Sequence, residues 1–232
     1  MDAGALVRAF ATGAPVHAVN FHNTPRHRAA EYDRELAALA ERFVAATEDD
    51  LATYLATGDW PRRRPGVVIA LYNGYRNNFD VVRPLLEKHG LHGWFFVASG
   101  YVDCPPDEQL AFGAAHALRT VKDEYPDGRY ALGWDEIRTL ERAGHVIASH
   151  TRSHTRVALD DAAALEAEIV GSQADFVREL GHPVRAFAWL SGGAYGENPL
   201  ADAAVDRAGY EFLFSNFRIQ RLPGAPDLRP GA

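Results

Sequence analysis

Cysteine is nearly missing from this chain of 232 residues. Cys104 stands alone, so no internal disulfide can form, and that usage suits a reducing compartment. Basic charge is short as well: 24 Lys and Arg face 31 Asp and Glu, a net charge of −7. A protein that tracks phosphate backbones carries the opposite balance, so nucleic acid is not an expected partner. The run Arg62-Arg63-Arg64, between Pro61 and Pro65, reads as a solvated connector. No apolar stretch approaches the roughly 18 residues of a membrane span, so no membrane partner is expected. The opening MDAGALVRAFATGAPVHAV has an acidic second residue and no apolar run of signal-peptide length, which gives the expectation of a cytoplasmic protein.

What remains is ordinary globular material, 47% hydrophobic and 24% charged. Internal repeats, low-complexity tracts and linkers are not visible. The expectation is one domain over 1–232 with a core at about 15–222, ending in a loosely ordered Pro- and Gly-rich tail, RLPGAPDLRPGA.

Short apolar runs predict strands over 16–21, 67–71, 93–98, 145–149, 185–189 and 211–215. Helical patterns lie between them at 28–45, 48–56, 80–89, 106–118, 135–143, 161–180 and 198–208. Asp80 is expected to cap its helix, leaving Pro84 in the first turn, where a missing N–H costs little. EKHGL, ERAGH, RELGH and DRAGY each put a glycine just after an apolar helix, the residue type that can adopt the left-handed conformation of a helix stop. Strands alternating with Gly-stopped helices imply parallel strands joined by helical crossovers, in an open sheet or a closed barrel. Either way, ligands bind at the carboxyl ends of the strands.

That rule selects His22, then Tyr72 and Asn73, then His150, then the segment from Trp189 to Gly192. The most specific element is SHTRSH, in which His150 and His154 can reach one ion from a helical turn or a folded loop. Arg76, Arg152 and Asp135 are further candidates. A cation from Arg76 or Arg152 beside Tyr72 would lower the phenol pKa. Trp189, at a strand end, is a candidate wall for a sugar or acyl pocket, whereas Trp94, Phe95 and Phe96 read as core. Cys104 reads as a structural thiol.

In order, ALYNGYRNNFD, GHVIASHTRSH and FAWLSGGAYG resemble the three leading motifs of the polysaccharide deacetylase family, the NodB homology domain or carbohydrate esterase family 4. The resemblance covers about 15–222 and implies a distorted (β/α) barrel of about seven parallel strands. It also implies a hydrolase of C–N bonds whose divalent metal, zinc first, polarises an acetamide carbonyl. Carried over by position, the metal ligands are Asn73, His150 and His154, the base position falls on Tyr72, and the oxyanion donor is the N–H of Ser191. Trp189, Arg152, Arg76 and His22 are assigned to a small-molecule or saccharide substrate.

The departures are chemical. Where the family usually reads T-F-D-D-G, this chain reads Leu71-Tyr72-Asn73-Gly74. A phenol with a pKa near 10 is a poor base at neutral pH, and an uncharged Asn carbonyl holds a divalent ion less tightly than a carboxylate. The third motif has Leu190-Ser191-Gly192 in place of the usual Pro-Tyr-Gly, and the late Leu-x-His that supplies a general acid has no counterpart after Tyr210. Three readings stay open: an amide hydrolase with an atypical site, a metal-independent biosynthetic enzyme using Tyr72, and a non-catalytic binder of a glycan or partner.

Overall fold

A computed structural model describes residues 16–156, 158–216 and 218–225 of the chain. The first fifteen residues and most of the Pro- and Gly-rich tail lie outside them. Seven parallel-paired strands are β1 Val16–Phe21, β2 Val44–Ala45, β3 Gly66–Asn73, β4 Trp94–Val97, β5 Val146–Ser149, β6 Ala186–Ala188 and β7 Phe212–Phe214. An eighth, β8 Ile219–Arg221, runs antiparallel to β7.

The sheet order is β1-β3-β4-β5-β6-β7-β8. β1 pairs along most of one side of β3, from Val16 opposite Gly66 to Phe21 opposite Leu71. β2 takes the first two residues of the other side, and β4 takes the last four, Ala70 to Asn73. Within the described residues β1 and β8 do not pair, so the sheet curls into a half-barrel and does not close.

Both faces of this sheet are buried, which is why its strands read as unbroken apolar runs. Along β3, Val67, Ile69 and Leu71 pack outward against the helices, with Tyr32, Leu86, Ile137 and Ile169. Val68, Ala70 and Tyr72 point the other way, into a layer of Trp94, Phe96, Ala148, Ala186, Ala188, Phe212 and Phe214. Each large side chain buried this way stabilises the fold by about 1.5–3 kcal/mol. The same alternation decides which strand-end residues face the barrel mouth.

The helix stops fall where the glycines predict: Gly90, Gly144, Gly181 and Gly209 hold φ of 65°, 86°, 85° and 74°. Asp161 and Asn198 cap helices Ala162–Leu180 and Pro199–Ala208, each accepting two backbone N–H groups. Two expectations are corrected. The helix placed at 28–45 ends at Arg42, because Phe43 turns extended and Val44–Ala45, with its β-branched residue, joins β3. Asp80 is not a cap: it lies inside a wide turn, Asn78–Val82, paired with Arg76 at 3.2 Å, and helix Arg83–Lys88 begins after it with Pro84 in its first turn. The arginine run does connect β3 to the preceding helix, yet it is tied down, with Arg62 on Asp50 at 2.8 Å and Arg64 on the Phe43 carbonyl at 2.6 Å.

Asp175, on helix Ala162–Leu180, is 2% exposed and gathers Ser99 Oγ at 2.8 Å, Arg178 at 2.6 Å and Arg152 Nε at 3.1 Å. It clamps the loop after β5 to the loop after β4. Asp175→Ala is expected to lower stability by about 2 kcal/mol, since it removes charge-assisted bonds and strands a buried hydroxyl. A shifted urea midpoint at unchanged slope is the readout.

Candidate active site

Five strands deliver their carboxyl ends to one cavity of about 480 Å³, with His22 after β1, Tyr72 and Asn73 closing β3, and His150 after β5. Ser191 and Gly192 follow β6, and Ser215 and Asn216 follow β7. His154, four residues past His150, lines the same space. Strain concentrates here: Asn73, Ala117, His154 and Ser191 line the cavity with φ of 82°, 58°, 59° and 67°. Side chains other than Gly adopt this region at a cost, Asn most easily.

The SHTRSH element is a folded loop, not a helical turn. Thr155 N–H donates to Thr151 Oγ1 at 2.8 Å, and the N–H groups of Arg152 and Ser153 both donate to Glu168, at 3.1 and 2.7 Å. This folding brings the two imidazole centroids within 4.8 Å. His150 Nδ1 donates to the Ala188 carbonyl at 2.8 Å and His154 Nδ1 to the His116 carbonyl at 2.7 Å. A carbonyl carries no proton, so both rings hold theirs at Nδ1 and leave an Nε2 lone pair, the arrangement metal-ligating histidines use. Burial, reinforced by His154, pushes His150 down to about 3; burial also lowers His154. Both are neutral at pH 7.

Asn73 completes the floor. Its Nδ2 donates to the Tyr75 hydroxyl at 3.3 Å, and its Oδ1 is buried with no hydrogen-bond partner among the described residues. An orphaned buried acceptor costs free energy unless a ligand meets it. Two Nε2 lone pairs and one amide oxygen fit a divalent cation by donor type. The set carries no charge, and among the described residues no three His, Cys, Asp or Glu side chains form a metal-holding group.

Burial works against Tyr72 as a base. Its ring is stacked between His22 at 5.3 Å and Phe96 at 4.8 Å, and burial pushes the phenol further up. The arginines that could have lowered it lie elsewhere. Arg76 is held by Asp127 at 2.7 Å and Asp80 at 3.2 Å over the Tyr125 ring, and Arg152 is turned onto Asp175. Neither arginine lines the cavity. Trp189 reaches the cavity wall, but its indole is 2% exposed and packs edge-on against Phe187 at 4.9 Å in the outer core, so it offers no sugar platform. Asp135 is a solvated helix residue paired with Arg138 at 2.8 Å, and the Cys104 thiol is pushed up by burial and by Glu108.

His22 remains. Its ring nitrogens have no partner among the described residues, and burial lowers its pKa. It is held in place by the GYRNN segment: Asn78 Nδ2 donates to the His22 carbonyl at 2.8 Å, and Asn77 Oδ1 accepts from Thr24 N–H at 3.0 Å. The Ser191 N–H makes no internal hydrogen bond among the described residues and is open to a ligand oxygen. Sequence reasoning missed Asn20, Tyr75, Arg119 and Asn216. Asn20 shares the inward parity of Val16 on β1, and Asn216 follows β7 directly, so the strand-end rule reaches both; Arg119 sits in a loop between helices and left no such signal.

Residues 59–213 match the sequence profile of the polysaccharide deacetylase family. The chain belongs to that family. Over 95 residues it is 30% identical to the poly-β-1,6-N-acetyl-D-glucosamine N-deacetylase of Escherichia coli strain K12. That match covers 40% of this chain, and the chain spans only 13% of that relative's length. Among solved structures, a de-N-acetylase from Aggregatibacter actinomycetemcomitans superposes with a TM-score of 0.66 at 17% identity, over 90% of this chain and 91% of the other. IcaB from Ammonifex degensii superposes at 0.65 and 18% identity, over 86% and 83%. At such identities the likeness establishes the fold, a mostly parallel half-barrel of the NodB type.

Protonation of the buried histidines sets an acid limit. His145 is pushed down to about 4 and His150 to about 3, chiefly by burial, whereas an unfolded His titrates near 6.5. Between those values the unfolded chain binds protons that the folded chain does not, so stability falls as pH drops from about 6.5 towards 4. Glu48, pushed up to about 7 by burial, offsets part of this, so urea midpoints for chelator-treated protein are expected to decline modestly over this window; midpoints that rise as pH falls would show that these rings are not buried neutral.

Proposed function

We propose that this chain is a deacetylase-type hydrolase that cleaves the amide of an N-acylated amino sugar, with a metal site built from neutral donors. The observation that supports this reading is that His150, His154 and Asn73 line one cavity, each with an unused donor atom, Nε2, Nε2 and Oδ1. The E. coli relative is an N-deacetylase of poly-β-1,6-N-acetyl-D-glucosamine, which makes N-acetylglucosamine the first ligand to test. A divalent cation held by His150, His154 and Asn73, zinc first, would supply Lewis-acid polarisation of the amide carbonyl.

The protein's own groups carry the rest. Of the titratable side chains lining the cavity, Tyr72 and Tyr75 are raised by burial, and His150 and His154 are committed as ligands. His22, neutral at pH 7 with free ring nitrogens, takes the proton of the attacking water and returns it to the leaving amine. The Ser191 N–H donates to the developing oxyanion, a role that survives any side-chain change. The Tyr72 hydroxyl stays protonated and acts as a donor at most.

His22→Gln is expected to lower acetate release from acetylated glucosamine oligomers by about a hundredfold or more, with zinc binding unaffected. Asn73→Asp is expected to tighten zinc at least tenfold by calorimetry, because it adds the missing charge to an unchanged geometry. Wild-type protein that takes up no zinc, cobalt or nickel in excess and releases no acetate would end the hydrolase reading.

A second reading, binding of a saccharide without turnover, is favoured by one observation: no carboxylate lines the cavity among the described residues. Calorimetric binding of an oligosaccharide with no acetate released is its signature.

A further inference from the structure

We propose that the ligand of this cavity carries an anionic group, a carboxylate or phosphate, on its amino-sugar frame, and that Arg119 selects it. The inference rests on the saccharide reading above. Its first support is a charge inversion: the chain is at −7, yet among the described residues the cavity is lined by no Asp or Glu and by a single guanidinium, with asparagines and neutral imidazoles around it. A neutral sugar requires no such exclusion of negative charge.

The second support is how Arg119 is held. Its carbonyl accepts from Asn23 Nδ2 at 2.6 Å, and its main chain lies beside the Tyr75 hydroxyl, which accepts from Asn73 Nδ2 at 3.3 Å. The backbone is thus tied to the β1 loop on one side and set beside the cavity floor on the other. The guanidinium, in contrast, makes no hydrogen bond or ion pair among the described residues. Arg76, Arg129, Arg152 and Arg178 are all spent on carboxylates. A free planar fork on an anchored backbone is suited to grip a carboxylate or phosphate through two parallel bonds.

Depth fixes the orientation. Asn73, His150 and His154 are buried at the floor, whereas Arg119, Asn20 and Ser191 are exposed at the mouth. The acyl group therefore enters first and the anionic substituent stays at the rim, on the side of the Asn23 loop. Arg119 is a specificity residue; it has no part in the chemistry at the floor.

Calorimetry with three probes tests this: N-acetylglucosamine, its 6-phosphate, and 2-acetamido-2-deoxyglucuronic acid. At low salt at least one anionic probe is expected to bind about tenfold or more tightly than the neutral sugar, with the preference shrinking as salt is raised. The two anionic arms tell phosphate from carboxylate. Arg119→Gln is expected to reduce the ratio of anionic to neutral affinity to within about twofold, while Arg207→Gln, altered at an exposed side chain paired with Glu166 away from the cavity, keeps it. A ratio near one in the wild-type protein, or one unchanged in Arg119→Gln, overturns the proposal. Anion preference without acetate release sustains it and removes the hydrolase; turnover of neutral oligomers without preference does the reverse. No binding by any probe overturns both.

Discussion

Two main-chain carbonyls, those of Ala188 and His116, govern how the cavity floor is built. By accepting the Nδ1 protons they fix the tautomer and the tilt of both imidazoles, and they draw those carbonyls from different places, the end of β6 and the loop after helix Gln109–Ala115. The loop after β5 can adopt its left-handed turns at Thr151 and His154 because these anchors, with Glu168 and Asp175, hold it from every side. Remove either carbonyl contact and one of the anchors opposing the strain is lost. The two rings are oriented by main-chain acceptors, so their geometry does not depend on which side chains stand at positions 116 and 188.

Much of the fold was legible because it follows from period and punctuation. Buried parallel strands read as apolar runs, and the glycine stops, Gly90, Gly144, Gly181 and Gly209, mark a conformation few other residues adopt. What was not legible depended on partners distant in the chain. Nothing local to Val44 says that Gly66 will capture it from a helix, and nothing local to Arg76 says that Asp127 will claim it. Trp189 illustrates the same limit: its parity places it outside the barrel while Ala188, one residue earlier, faces in.

The site was legible in its positions and less so in its electrostatics. The strand-end rule brought His22, Tyr72, Asn73, His150 and Ser191 to one place, but burial decided what each can do. Burial pushes the phenol further up and the three histidines down, so the phenol keeps its proton and the imidazoles stay neutral. A residue type announces its chemistry; the surrounding dielectric settles its charge.

The stacking of Tyr72 between His22 and Phe96 makes the two neighbouring positions unequal in what they tolerate. At position 73 an amide and a carboxylate occupy the same volume, so that exchange can run in either direction with little disturbance. At position 72 the ring fills the space between two other rings, and a short acidic side chain would leave a hole and release His22 from its support. Position 73 thus admits a charge at the cavity floor with little disturbance, whereas position 72 admits a short acid only if the rings around it repack.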